Sequence, residues 1–283
     1  MYRVSTAQLA QNGMNAINQN QSKINDLISQ ISSGVRNDLD PVEKAQQISY
    51  SVRISNTAQN IRNGETVMPE LTQQERALSA ISEKLIQLQE TMTGAQNPAT
   101  YDKNATKEIV STIKDEILSI VNSQDSQGDY LFSGYKSKTK SFGDLATYNG
   151  DQGVRQIRIS DSALVDVNIT GQKVITKNLT DAFSKIENYV NNGVNDKTML
   201  DSVQKAIGDV SLQQTIVGSN INKINNFKTL NNEFQLQDKS RLSQIQDADL
   251  TSLISQLSQA KTASEASLKS YSIIQNLSLF NYI

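Results

Sequence analysis

Apolar residues recur along most of the chain with the spacing of buried helix faces. The first stripe repeats every seven residues, at Ala10, Ile17, Ile24 and Ile31. A later stripe advances by alternating steps of three and four residues, at Leu78, Ile81, Leu85, Leu88 and Met92. A further stripe follows at Ile109, Ile113, Ile117 and Ile120. These spacings predict a series of helices, each burying one face, from the start of the chain to about Val121.

A strong interruption separates the first stripe from the second, in the segment "SSGVRNDLDPV". Gly34 stands where a left-handed residue ends a helix, Asp40 fits the N-cap of the next helix, and Pro41 fits its first turn. A phosphate-binding loop is the alternative, but the segment has one glycine and no lysine followed by Ser/Thr at the spacing of that motif. The segment therefore predicts a joint between two helices.

The pattern changes between residues 130 and 178, where "VRQIRI" and "LVDVNIT" alternate apolar and polar residues. Alternation with a period of two predicts strands. Turn dipeptides occur at Asn149-Gly150, Asp161-Ser162 and Thr170-Gly171, and Asn-Gly is a strong hairpin signal. We therefore predict a small β-rich insert of hairpins over 130–178.

Helical spacing returns after the insert, with Thr180 or Asp181 as the predicted cap. A long helix is predicted from about Asn195 to Ile245, and a last helix after "QDADL". Long helices with one apolar stripe need a partner to pack against. We therefore expect a mainly α protein: an elongated bundle of long antiparallel helices formed by the N- and C-terminal halves, with a small β-hairpin insert.

Composition removes most catalytic chemistry. The 283 residues include no cysteine, histidine or tryptophan, which excludes disulfides, thiolate nucleophiles and imidazole bases or ligands. Paired carboxylates remain at Asp115-Glu116 and Asp247/Asp249, but adjacent helix residues do not face each other, so caps and solvated faces explain them better. We expect no catalytic, cofactor-binding or metal-binding residues, and no enzyme activity.

Charge and hydropathy also argue against nucleic acid and membrane as partners. The net charge is -2, no run is apolar enough to span a bilayer, and the lysines of "YKSKTK" are flanked by Asp129 and Asp144. The first residues lack the basic segment and apolar core of a secretory signal peptide. We expect a protein that is cytosolic or is exported without a cleaved signal.

The two terminal stripes have a different character from the central ones. Two helices cover each other on one side only, and the end "LSLFNYI" is apolar on nearly all sides, which is typical of a partner interface. We predict an assembly interface between subunits. Its predicted residues are Ile17, Ile24, Leu27, Ile31, Leu250, Leu253, Leu257, Leu268, Tyr271, Ile274, Leu277, Leu279 and Phe280.

Several segments together resemble the flagellin superfamily. They are "MYRVSTAQL", "ISSGVRNDLDPVEKA", "GDYLFSGYK", "VGSNINKI" and "LSLFNYI", in this order along the chain. The third and the last favour the junction proteins of this superfamily, which lie between hook and filament, over flagellin itself. The resemblance covers most of residues 1–135 and 195–283.

The resemblance implies a structural protein of the extracellular bacterial flagellum, reached by type III export. It implies a terminal coiled-coil assembly domain of 1–32 and 250–283, disordered in the monomer, and a helical rod of 40–129 and 179–245. The implied partners are further copies in a ring, hook-associated protein 1 on the hook side, flagellin on the filament side, and an export chaperone. Two alternatives stay open: a flagellin that forms the bulk filament, and a secreted enzyme or effector that uses carboxylates.

Overall fold

Helices dominate the computed structural model, which describes residues 6–97, 101–194 and 196–280. The side chains of residues 6, 7, 9, 10 and 274–280 lie outside that description. The helices are α1 (Thr6–Ser33), α2 (Pro41–Ala95), α3 (Lys103–Val121), α4 (Gly171–Val174), α5 (Lys177–Asn192), α6 (Met199–Gln246) and α7 (Leu250–Phe280). The strands are β1 (Phe142–Asp144), β2 (Thr147–Tyr148), β3 (Gln156–Ser160) and β4 (Ala163–Asp166). The predicted fold class, mainly α with long helices and a small β-hairpin insert, is confirmed.

The chain divides into two compact units, and both α2 and α6 contribute to each of them. One unit, the terminal unit, is built from the described residues up to Ser55 together with those from Leu236 onward. The other comprises Asn56–Gln235. These bounds differ from those of the predicted domains, whose assembly behaviour stays a prediction.

The unit of Asn56–Gln235 holds the larger core. The predicted three-and-four stripe of α2 is completely buried, with Leu78, Ile81, Leu85, Leu88 and Met92 each 0% exposed. Buried side chains of α3, α5 and α6 belong to the same cluster, among them Ile117, Ile186 and Val203. Polar contacts at the surface join the same helices: Gln89 of α2 bonds Gln204 of α6 at 2.8 Å, and Lys114 of α3 pairs with Glu187 of α5 at 2.6 Å.

Two antiparallel hairpins form the β insert, β1 with β2 and β3 with β4. The predicted turn at Asp161-Ser162 is confirmed, since these two residues connect β3 and β4. The predicted hairpin turn at Asn149-Gly150 is wrong, because Asp144 Oδ1 accepts the amide protons of Ala146 and Thr147 and closes the chain earlier. Thr170, predicted to lie in a turn, is the N-cap of the short helix α4.

Gly150 serves packing rather than a turn. A Cβ at this position would lie 2.4 Å from Tyr148 Oη, and the single proton of that hydroxyl is shared between the carbonyl oxygens of Phe132 at 2.9 Å and Asp151 at 2.7 Å. The predicted cap of α5 at Thr180 or Asp181 is also wrong. The helix begins earlier, with Thr176 as its N-cap, and the Thr176 hydroxyl bonds Asp209 at 2.6 Å instead of capping.

Candidate assembly interface

The terminal helices α1 and α7 pack against each other along one narrow seam. Ile24 and Leu27 of α1 are buried against Leu253 and Ala260 of α7, with exposed fractions of 4–8%. Three half-buried side chains extend the seam: Ile31, Ala248 and Leu257. The heptad spacing of α1 explains this burial, because residues three and seven apart lie on the same helix face.

The seam becomes polar and close-packed toward the other end of the pair. Asn20 donates from Nδ2 to Ser267 Oγ at 3.2 Å, and Ser264 is buried. Gly13 lies directly against Tyr271, because a Cβ on this glycine would be 3.1 Å from Tyr271 Cδ2. Small and polar residues at a helix seam contribute less burial than leucine or isoleucine, so this half of the pair holds together less strongly.

The joint between α1 and α2 consists of well-formed helix ends. Gly34 has φ +69°, and its amide donates to the carbonyl of Gln30 at 2.8 Å, which ends α1 in the left-handed conformation. Asp40 Oδ1 accepts the amide protons of Val42 and Glu43, both at 2.8 Å, and Glu43 Oε2 accepts the Asp40 amide proton at 3.0 Å. This reciprocal pair is a capping box at the start of α2.

The break between α6 and α7 lies beside this joint. Val35 and Asp247 form an isolated antiparallel bridge. Asp249 begins α7, since its side chain accepts the Ser252 amide proton at 3.1 Å. The segment between α1 and α2 is thus brought beside the segment between α6 and α7, although the two are far apart in sequence.

Several large apolar side chains of this unit point away from the seam. Leu250 is 48% exposed and Leu268 is 52% exposed. The others in the two terminal helices are Met14, Ile28, Ile254 and Ile273, between 44% and 58% exposed. Among the described residues, α1 and α7 pack mainly against each other, so these apolar faces stay open to a partner.

The predicted assembly residues therefore fall into three groups, and their role stays a prediction. Ile24, Leu27, Ile31, Leu253 and Leu257 lie in the seam within one chain, with Ile17 and Tyr271 half-buried. Leu250 and Leu268 lie on the open faces. Ile274, Leu277, Leu279 and Phe280 lie outside the side chains that the structure describes.

Comparison with known families identifies the first part of the chain. Residues 4–137 match the model of the bacterial flagellin N-terminal helical region. These residues are thus similar to a flagellin N-terminal helical region. The resemblance to the flagellin superfamily that the sequence predicts is confirmed.

Proteins similar to this chain include several flagellar proteins. It is 23% identical to the flagellar hook-associated protein 3 of Escherichia coli K12, with 98% of each chain covered. The solved structure of a flagellar hook-associated protein from Vibrio parahaemolyticus has a TM-score of 0.61 at 20% identity, covering 72% of this chain and 98% of that one. The flagellar junction protein of Legionella pneumophila gives 0.60 at 17% identity, covering 71% and 99%. The two structural likenesses show a shared fold.

The carboxylate pairs of the flagellin-like chain have structural partners. Glu116 pairs with Lys84 at 2.6 Å, Asp247 accepts from the Ser243 hydroxyl, and Asp249 caps α7. Within the described ranges, no group of three acidic side chains is placed to hold a metal ion, and no helix is long and apolar enough to cross a membrane.

Arg36 lies at the helix joint, and the local sequence pattern does not predict all of its contacts. Its guanidinium reaches Asp38 and Glu43 nearby, and also the carbonyl oxygen of Ile245, 209 residues away. No local pattern signals the last contact, because it exists only once α6 returns beside the joint. The same holds for the contact of Asn20 with Ser267.

Proposed function

We propose that this chain is a structural protein of the bacterial flagellum that joins the hook to the filament and assembles through α1 and α7. The observation that carries this proposal is the open apolar surface of the helix pair. Two helices that share one narrow seam and leave Ile254 and Leu268 more than half exposed bury too little surface to be a finished core.

The near full-length match to hook-associated protein 3 supports the junction role. A protein that only borrowed the flagellin N-terminal region would match over that region alone. By extension from that relative, the proposed partners are further copies in a ring, hook-associated protein 1 on the hook side and flagellin on the filament side, with a chaperone for export. The proposed location is the extracellular flagellum, and the proposed role involves no catalysis.

The proposed mechanism couples folding to assembly. Residues 1–32 and 250–283 form the assembly domain, which becomes fully ordered against neighbouring subunits, while 40–129 and 179–245 with the β insert fold alone. The distribution of buried residues supports this division, because the large buried cluster lies within Asn56–Gln235 and the seam of α1 and α7 is small. Helices with so little buried surface are expected to gain order when they bind a partner. Limited proteolysis of the monomer is expected to remove both ends and leave a core of roughly 40–245.

Substitution of an outward-facing residue tests the interface itself. Leu268→Asp places a charge on the open face of α7 without entering the seam, so we expect incorporation into flagella to be lost while the monomer melts as the wild type does. Leu253→Asp, inside the seam, is expected to block assembly and also to loosen the α1 and α7 pair. Leu164→Asp is the matched control, since Leu164 is 49% exposed on β4. Normal incorporation of Leu268→Asp would contradict the proposal.

A second candidate is flagellin itself, the bulk subunit of the filament. The match of residues 4–137 to the flagellin model favours it as well as a junction protein. The two candidates differ in where the protein lies along the flagellum and in how many copies are present.

A further inference from the structure

The two helix breaks of the terminal unit are joined by backbone hydrogen bonds. The amide of Arg36 donates to the carbonyl of Gln246 at 2.8 Å, and the amide of Ala248 donates to the carbonyl of Gly34 at 2.9 Å. Together with the bridge of Val35 and Asp247, this makes a two-stranded pairing of Gly34–Arg36 with Gln246–Ala248, which we call the latch. A joint that only needed flexibility would have no reason to pair its strands.

Arg36 connects the latch to the helices on both of its sides. Its guanidinium contacts Glu43 in the first turn of α2 at 3.3 and 3.4 Å, and Asp38 at 3.1 Å. It also donates to the carbonyl oxygen of Ile245 at 3.4 Å, in the last turn of α6. A positive group at a helix carboxyl end is favourable, and the planar guanidinium can bond several acceptors at once. Gln47 reinforces the same place through Gln246, at 3.2 Å.

The seam of α1 and α7 has few contacts that depend on register, and the size-matched one, Gly13 against Tyr271, lies at the end far from the joint. Its buried apolar residues are two large side chains of α1, Ile24 and Leu27, against Leu253 and the small Ala260. Farther along, Asn20 meets Ser267, and a polar contact of this kind can re-form with another hydroxyl or amide one turn away. A constraint at the joint would therefore add to what the seam specifies about which turn of α7 faces which turn of α1.

We propose that the latch sets the register of α1 against α7, and that Arg36 is its positioning residue. Both strands of the latch are anchored to α2 and α6, so they hold the last turn of α1 opposite the first turn of α7. The helix pair then grows from this fixed end, whether it forms in the monomer or on assembly. The inference is independent of the junction role, since it concerns one chain alone.

Disulfide trapping measures this register in the monomer even if α1 and α7 pair only transiently before assembly, because each disulfide captures the helix pair whenever it forms. The absence of natural cysteine leaves no competing thiol. The in-register pair is Asn20→Cys with Ser267→Cys. The pair displaced by one turn is Asn20→Cys with Ala263→Cys. In a glutathione redox buffer, we expect the first pair to form its disulfide in preference to the second. Adding Arg36→Gln is expected to reduce that preference about twofold to fivefold, as for loss of a partly exposed charge network.

Two further variants separate positioning from general loss of charge. Lys44→Gln removes an exposed positive charge from the same turn of α2 and should leave the preference unchanged. Arg36→Lys keeps the charge but lacks the planar fork of donors that reaches both Glu43 and Ile245, so it should recover the preference only in part.

Amide hydrogen exchange gives a second, independent reading of the latch. We expect slowed exchange at the amides of Arg36 and Ala248 in the wild-type monomer, and faster exchange at Ala248 in Arg36→Gln. If exchange in Arg36→Gln became faster only at residues near position 36 and not at Ala248, the inference would be contradicted. Equal trapping of both cysteine pairs in the wild type, or an unchanged preference in Arg36→Gln, would overturn the inference. Neither result depends on where the protein lies in the flagellum.

Discussion

Asp238 of α6 is a buried charge whose single described ion pair is with Arg53 of α2. The carboxylate side chain is 3% exposed, the arginine side chain is 57% exposed, and their closest atoms are 3.0 Å apart. The guanidinium also lies over the Tyr50 ring, 5.7 Å from its centre. Removing Arg53 would leave the carboxylate buried without this partner, so Arg53→Met should destabilise the terminal unit.

The two exposed fractions set the size of the effect. Breaking a buried ion pair costs about 3–5 kcal/mol, whereas an exposed pair is worth about 0–1 kcal/mol. This pair has one buried member and one solvated member, so we expect a cost of about 2 kcal/mol for Arg53→Met. Methionine keeps most of the arginine stem, which limits the loss of packing. The double variant Arg53→Met/Asp238→Leu removes the buried charge as well and should come within about 1 kcal/mol of the wild type.

Urea denaturation with a local probe measures these differences. Because the chain lacks tryptophan, a single Ser51→Trp on the exposed surface of α2 reports the unfolding of this unit. All variants are compared in that background. A cost below about 0.5 kcal/mol for Arg53→Met, or a double variant as unstable as the single one, would refute the reasoning that Asp238 depends on this partner.

Three further predictions concern helix ends, core and pH. Asp40→Ala removes the side-chain acceptor of two α2 amides and should cost about 1 kcal/mol by the same urea assay. Leu85→Ala opens a cavity at a completely buried site and should cost about 2–5 kcal/mol in thermal unfolding, whereas the exposed Ile86→Ala should cost far less. Burial raises the pKa of Glu70 above its ordinary 4.5, more than its contact with Arg155 lowers it, so the folded state binds this proton more tightly. The contribution of Glu70 to stability is therefore lost as pH rises above about 4.5. In that pH range the free energy of unfolding of Glu70→Gln should rise relative to that of the wild type. A difference between the two free energies that is constant with pH would contradict this.

Local chemistry explains which parts of the fold the sequence predicts well. The capping hydrogen bonds of Asp40 and Glu43 have the geometry expected from Asp-Pro-x-Glu, because every partner lies within one helical turn. The stripe from Leu78 to Met92 is buried as its spacing requires. In both cases a short stretch of chain determines the outcome.

Predictions failed where a nearby group competed for the same role. Asn149-Gly150 is a good turn dipeptide, yet Asp144 closes its own turn first, and Gly150 is placed for close approach to Tyr148. Thr180 could cap a helix, but α5 starts three residues earlier, at Lys177. Two contacts could not be predicted, because each joins segments far apart in sequence: Arg36 with Ile245, and Arg53 with Asp238.

Immunogold labelling of isolated flagella tests the proposed junction role most directly. An antibody against the β insert, which is not part of the proposed terminal interface, would mark the protein in place. The account predicts label confined to the boundary between hook and filament. Label along the whole filament would contradict it and identify the chain as the bulk filament subunit.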